Sequence, residues 1–201
     1  MYMASLSIVR IMESPFKSIV MALLFASAFT GNLKANPALA IDRSEIREAA
    51  PGELKELKDI FPAADLFSEK SGRLPHYKAY SVDAGSGAVN LIGFVFMTNE
   101  VEPDEFAYAS SIDALVGLTV QGTITKVKIL RHIEPFGYFS IDPPEFAAQF
   151  EGKSILDPFE WGDDVDAVTG ATITVEGAFR VLRKSTRAIA RQYLQEQKSG
   201  K

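Results

Sequence analysis

The chain contains no cysteine. That single absence excludes disulfides, thiolate zinc sites, iron–sulfur clusters and covalently attached c-type haem. Histidine is nearly absent, with two copies, His76 and His132. Neither has a partner at helical metal-ligand spacing, so no transition-metal site is expected. No Ser-His-Asp arrangement can be argued from two scattered imidazoles. His76 reads as a surface or strand-end residue. Basic residues are also short, with 21 Lys and Arg against 26 Asp and Glu. That balance argues against nucleic acid and anionic lipid surfaces as partners. Long apolar runs are missing as well. The uncharged stretch Ser18 to Phe29 (S-I-V-M-A-L-L-F-A-S-A-F) is too short to cross a bilayer comfortably.

That stretch fits an export signal better. Arg10 and Lys17 precede it, and small-residue cleavage signals follow at Ala26-Ser27-Ala28 and Ala38-Leu39-Ala40. The second is preferred, because the charged segment I-D-R-S-E begins right after it. Met12 opens a more typical leader than Met1. Residues 1–40 are therefore expected to be a signal peptide or short N-terminal anchor, and the remainder a periplasmic or extracytoplasmic domain, membrane-tethered if the signal is retained. Removing residues 1–40 takes three bases and one acid from the 21 and 26, leaving 18 and 25, a net charge of −7.

What remains has ordinary globular composition, 47% hydrophobic and 23% charged over the full 201 residues, and supports one domain with a real core. From Ile41 to Phe67 the apolar spacing of Leu54, Leu57, Ile60 and Phe61 is helical, with a stop at Pro62 and a short second turn in A-A-D-L-F. We assign 41–76 to a helical N-terminal extension. Four strands are expected next: Tyr77 to Val82, Leu91 to Thr98, Ile112 to Val120 and Ile124 to Leu130. The Gln121-Gly122 turn makes the last two an antiparallel hairpin. Asn99 to Ser111 reads as an acidic loop. Asp142-Pro143 reads as a cap and first turn, with Phe146 and Phe150 on one helix face. From Val175 to about Gln197 runs a long amphipathic helix, with Val175, Ala178, Phe179, Leu182, Ile189 and Tyr193 inward and Arg180, Arg183, Lys184, Arg187 and Arg191 outward. The fold class is α+β: an antiparallel β-sheet flanked by helices, with a long C-terminal helix.

Just before that helix lies D-A-V-T-G-A-T-I-T, Asp166 to Thr174. Two readings fit the residues. Thr174 can be a plain helix cap with Gly170 allowing the turn. Alternatively, the helix N-terminus offers unpaired N–H groups and a positive dipole end, a ready phosphate site. Gly170 and Ala171 would then let a ligand approach the backbone, and the hydroxyls of Thr169, Thr172 and Thr174 would line it.

The stretch resembles the flavinylation motif of the FMN-binding domain family: Asp, two residues, Ser or Thr, Gly, Ala, Ser or Thr, any residue, Thr. Asp166, Thr169, Gly170, Ala171, Thr172 and Thr174 match every defined position, and Ile173 fills the free one. The family includes the flavin subunits of the Rnf and sodium-pumping quinone-reductase complexes and the periplasmic domain of nitrous-oxide-reductase regulators. The resemblance implies covalent FMN, attached through a phosphoester at Thr174 by an exported flavin transferase, with Asp166 serving recognition by that transferase. H-I-E-P-F-G-Y-F, His132 to Phe139, is similar to the family's segment near the isoalloxazine ring. It implies Phe136 and Tyr138 as ring contacts and Glu134 as a polar contact. The resemblance runs from Ile92 to Leu194, and the FMN-binding domain is assigned to 77–197. Details such as E-P-F-G-Y-F look closest to the regulator branch, but the cysteine-rich cluster domain of that branch is lacking. The expected function is electron transfer between redox partner proteins, such as a membrane electron-transport complex. A flavin-based redox sensor and a flavin-free interaction module are the competing readings.

Overall fold

The computed structural model describes residues 40–160, 162–163, 165 and 171–199. The leader predicted for residues 1–40 lies outside them, apart from the Ala40 backbone. The antiparallel sheet is built as expected. Its strands are β1 (Ala40–Ile41), β2 (Leu66–Phe67), β3 (Tyr77–Val82), β4 (Val89–Met97), β5 (Asp113–Thr119) and β6 (Ile124–Arg131). Their order is β2-β3-β4-β5-β6, with β1 pairing onto β4 beyond the reach of β5. Helices α1 (Pro51–Ile60), α2 (Thr98–Val101), α3 (Gly137–Ser140), α4 (Pro144–Ala148) and α5 (Thr172–Lys198) complete it.

Side chains alternate across a pleated strand, and here they divide two cores. In β4, Phe94 and Phe96 join the core under α5, whereas Val95 joins the one under α1. In β5, Ala114, Val116 and Leu118 face α5 and Leu115 faces α1. The sheet is thus covered on both sides, which is why L-I-G-F-V-F-M is apolar throughout rather than alternating. Helix α1 starts with Pro at its first turn, and Glu53 Oε2 accepts from the Ala50 N–H at 3.2 Å. It buries Leu57 and Ile60. Phe146, Phe150, Phe159 and Phe179 form an aromatic cluster with centroids 5.6–6.0 Å apart.

Several elements differ from expectation. A-A-D-L-F gives no second helical turn; Leu66–Phe67 pairs with Ala79 and Tyr80 as an edge strand. The acidic stretch after β4 opens with α2 before becoming loop. His76 is buried, not on the surface: its Nδ1 lies 2.8 Å from the Leu74 carbonyl and its ring meets Phe94 edge-on. Burial holds it below the usual imidazole pKa. Arg191 is exposed on α5 as expected, but Arg180, Arg183 and Arg187 pin the loops beside the helix. Arg187 donates to the carbonyls of Ile155 and Asp157 at 2.8 and 2.9 Å, Arg183 to Pro158 at 2.9 Å, and Arg180 to Phe106 at 2.9 Å. Among the described residues, no helix is long and apolar enough to cross a membrane.

Candidate functional site

The site gathers where three pieces of chain meet: the loop 107–111, the segment leaving β6, and the first turn of α5. Close approach makes the meeting possible. A Cβ on Gly177 would lie 2.4 Å from Ala107 Cβ and 2.5 Å from its Cα. Only glycine lets the loop backbone rest directly on α5. A Cβ on Gly137 would fall 2.1 Å from the His132 ring, so that imidazole also depends on a glycine.

Thr174 does not cap the helix. Helix α5 begins at Thr172, with Ala171 as its N-cap and no side-chain cap bond, so Thr174 is the third helical residue. Helix starts read from sequence shift by this much when a capping hydroxyl and an inward one look alike. Its side chain turns inward, 2% exposed, and Oγ1 donates to Glu134 Oε2 at 2.6 Å.

Glu134 is itself only 5% exposed. Its Oε1 accepts from the backbone N–H groups of Ala109 and Ser110, both at 2.8 Å, and Oε2 accepts from Tyr108 N–H at 3.2 Å. Burial alone would push its pKa up. The hydrogen bonds from Thr174, Ala109, Ser110 and Tyr108 outweigh it and hold the carboxyl below the usual range. The carboxylate is therefore ionised at neutral pH and anchored mainly through one oxygen. It also sits by the positive end of α5, which favours the charge.

Behind Glu134 stands a short chain of hydrogen bonds that ends on its backbone N–H. His132 Nδ1 accepts from the Glu134 N–H at 3.1 Å, so the ring proton is on Nε2, which donates to Asp142 Oδ1 at 2.7 Å. Asp142, expected to cap the following helix, holds this imidazole instead, and Pro143 is the N-cap of α4. Ser110 Oγ accepts from Ile133 N–H at 3.0 Å, a further tie between the two loops. Sequence reading left His132 and Ser110 without roles.

The remaining predicted residues spread around this centre. Ala171 is buried, Thr172 is half-buried, and Ile173 is exposed at the helix start. Phe136 and Tyr138 both pack on Phe139, with centroids 5.8 and 4.9 Å away, and both remain exposed. Ile133, Tyr108 and Phe106, on the two segments that carry and hold Glu134, are exposed as well. Exposed aromatic side chains and a helix start are the groups that a flat aromatic ring system with a phosphate tail would use. Asp166, Thr169 and Gly170 lie outside the described residues. Two grooves, of about 350 and 370 Å³, open elsewhere and include neither Thr174 nor Glu134. The polar groups converge at Glu134 instead.

Comparison with known proteins points the same way. The FMN-binding domain model matches residues 107–186. That range begins at the loop packed on Gly177 and takes in Glu134, Thr174 and the first half of α5. The G component of the ion-translocating oxidoreductase complex, from two Pseudomonas aeruginosa strains, is 31% identical over 90 residues, covering 40% of this chain and 42% of each relative. The chain thus spans less than half the length of these curated relatives. The resemblance to the FMN-binding domain family, carried first by D-A-V-T-G-A-T-I-T, holds across residues 107–186.

Proposed function

We propose that this chain is an exported flavoprotein that holds FMN covalently, as a phosphoester on Thr174, and passes electrons between partner proteins. The observation that carries the reading is the inward hydroxyl of Thr174 on the first turn of α5, bonded to an ionised, fixed carboxylate within the segment that matches the FMN-binding domain. Bound there, FMN would supply one- and two-electron redox chemistry. The chain would supply position: Thr174 the tether, Ala171 and Thr172 the approach to the helix start, Phe136, Tyr138 and Ile173 apolar contact with the ring. Asp166, Thr169 and Gly170 complete the motif that a flavin transferase reads. Glu134, expected to touch the ring, has a different first duty, since its oxygens are engaged by Thr174 and the 108–110 amides.

A covalent tether suits a protein outside the cytoplasm, where a dissociated cofactor is lost. The redox partners include a membrane electron-transport complex, by likeness to the ion-translocating oxidoreductase relatives. The test is spectroscopic. Full-length protein from the cell envelope of a flavin-transferase-containing host should keep flavin absorbance after denaturation. The native protein should bleach on reduction and recolour on oxidation. Colourless protein from such cells overturns the reading and favours a flavin-free module.

A further inference from the structure

An alcohol is a weak nucleophile at neutral pH and needs a base to take its proton as it attacks. Thr174 has one already in contact. The 2.6 Å separation of Oγ1 and Glu134 Oε2 lies in the short range of a hydroxyl donating to a carboxylate. The two carboxylate oxygens also divide their work. Oε1 is taken by two amides at 2.8 Å, whereas Oε2 has only the long Tyr108 contact besides Thr174. The anchor leaves one oxygen aimed at the hydroxyl. The Asp142–His132 pair fixes the Glu134 backbone from behind.

We propose that Glu134 is the general base for the esterification of its own chain at Thr174; this rests on the reading of Thr174 as the attachment residue. Glu134 Oε2 takes the hydroxyl proton while Thr174 Oγ1 forms a bond to the flavin-side phosphorus of a flavin dinucleotide, a phosphoanhydride presented by the transferase. The bond from that phosphorus to the bridging oxygen breaks, and the nucleoside monophosphate leaves. No electrons change hands, and the proton passes from Glu134 to solvent. Thr174 is buried and must be uncovered for this step. Its cover must move aside with the Oγ1–Oε2 contact kept, and the Ala109 and Ser110 amides hold Glu134 for this through Oε1.

The test follows adduct formation by intact mass on the full chain with a flavin transferase and flavin adenine dinucleotide. Glu134→Gln keeps an oxygen for the Ala109 and Ser110 amides but turns an NH₂ toward Thr174. Its rate should fall about 100-fold, the scale of general-base catalysis. The ratio of its rate to wild type should rise with pH as hydroxide substitutes, which a merely structural role would not produce. Glu134→Asp draws the carboxylate back by one methylene; it should be slower than wild type with an unchanged pH profile. It decides the matter if the glutamine variant does not fold. A folded Glu134→Gln, or in its place Glu134→Asp, modified at the wild-type rate overturns the base while leaving the tether intact. No adduct on wild type, or an adduct that survives Thr174→Ala, overturns both.

Discussion

Thr174 and Glu134 stand forty residues apart in sequence and 2.6 Å apart through their side-chain oxygens. One contact ties the start of the long helix to the end of the last strand. Because Glu134 also gathers three amides of the 108–110 loop, removing it unties three segments together. Glu134→Ala leaves those donors without a partner in a buried place, and each such group costs free energy. We expect a loss of about 3 kcal/mol in urea denaturation, concentrated in one residue.

The same carboxylate makes stability depend on pH. Its folded pKa lies below the ordinary glutamate value of about 4.3. The unfolded chain therefore binds this proton first as pH falls. The contribution is fully present above the unfolded value and is lost as pH drops through the folded one. The Tm gap between wild type and Glu134→Gln should be constant from pH 8 to 6 and shrink in more acidic buffer. A gap that widens on acidification contradicts the assignment.

Gly177 sets the spacing between α5 and the loop. Alanine is the better helix former by about 1 kcal/mol, so a surface view predicts that Gly177→Ala stabilises. The close contact predicts the reverse, because the new methyl would sit 2.5 Å from a backbone atom of Ala107 that cannot swing away. We expect a net loss of about 2 kcal/mol by denaturant titration, the scale of overpacking. Slower attachment of FMN should accompany it, since the displaced loop carries the amides that hold Glu134.

Much of this was legible in the sequence, for identifiable reasons. Strands Tyr77–Val82 and Ile124–Arg131 announce themselves through local residue patterns and the Gln121-Gly122 turn. The stripe of α5 follows from helical periodicity, and Val175, Ala178, Phe179, Leu182 and Ile189 are buried as expected. What could not be read is pairing over distance. Leu66–Phe67 looks helical until the edge of β3 is there to receive it. Asp142 looks like a cap until His132 arrives from ten residues away. Thr174 looks like a cap because a hydroxyl at a helix start is usually one. Its true partner is a glutamate that no local window contains. The threonine motif pointed to Thr174, but its contact with Glu134 became visible only when the fold placed the two side by side.

Arg187 gives a check on the loop that leads toward the motif. Its guanidinium donates to two carbonyls of the 155–157 turn. Arg187→Ala should lower stability by about 1–2 kcal/mol, the worth of two such bonds. Proteolytic nicking between residues 151 and 160 should rise. Unchanged nicking contradicts the clamp.

The central claim is the covalent tether at Thr174, and denaturing gel electrophoresis with flavin fluorescence tests it most directly, since only covalent flavin survives denaturation. Wild-type protein made alongside its flavin transferase should give a fluorescent band, Thr174→Ser should keep it, and Thr174→Ala should be dark at equal loading. A dark wild-type band, or a fluorescent Thr174→Ala band, contradicts the tether.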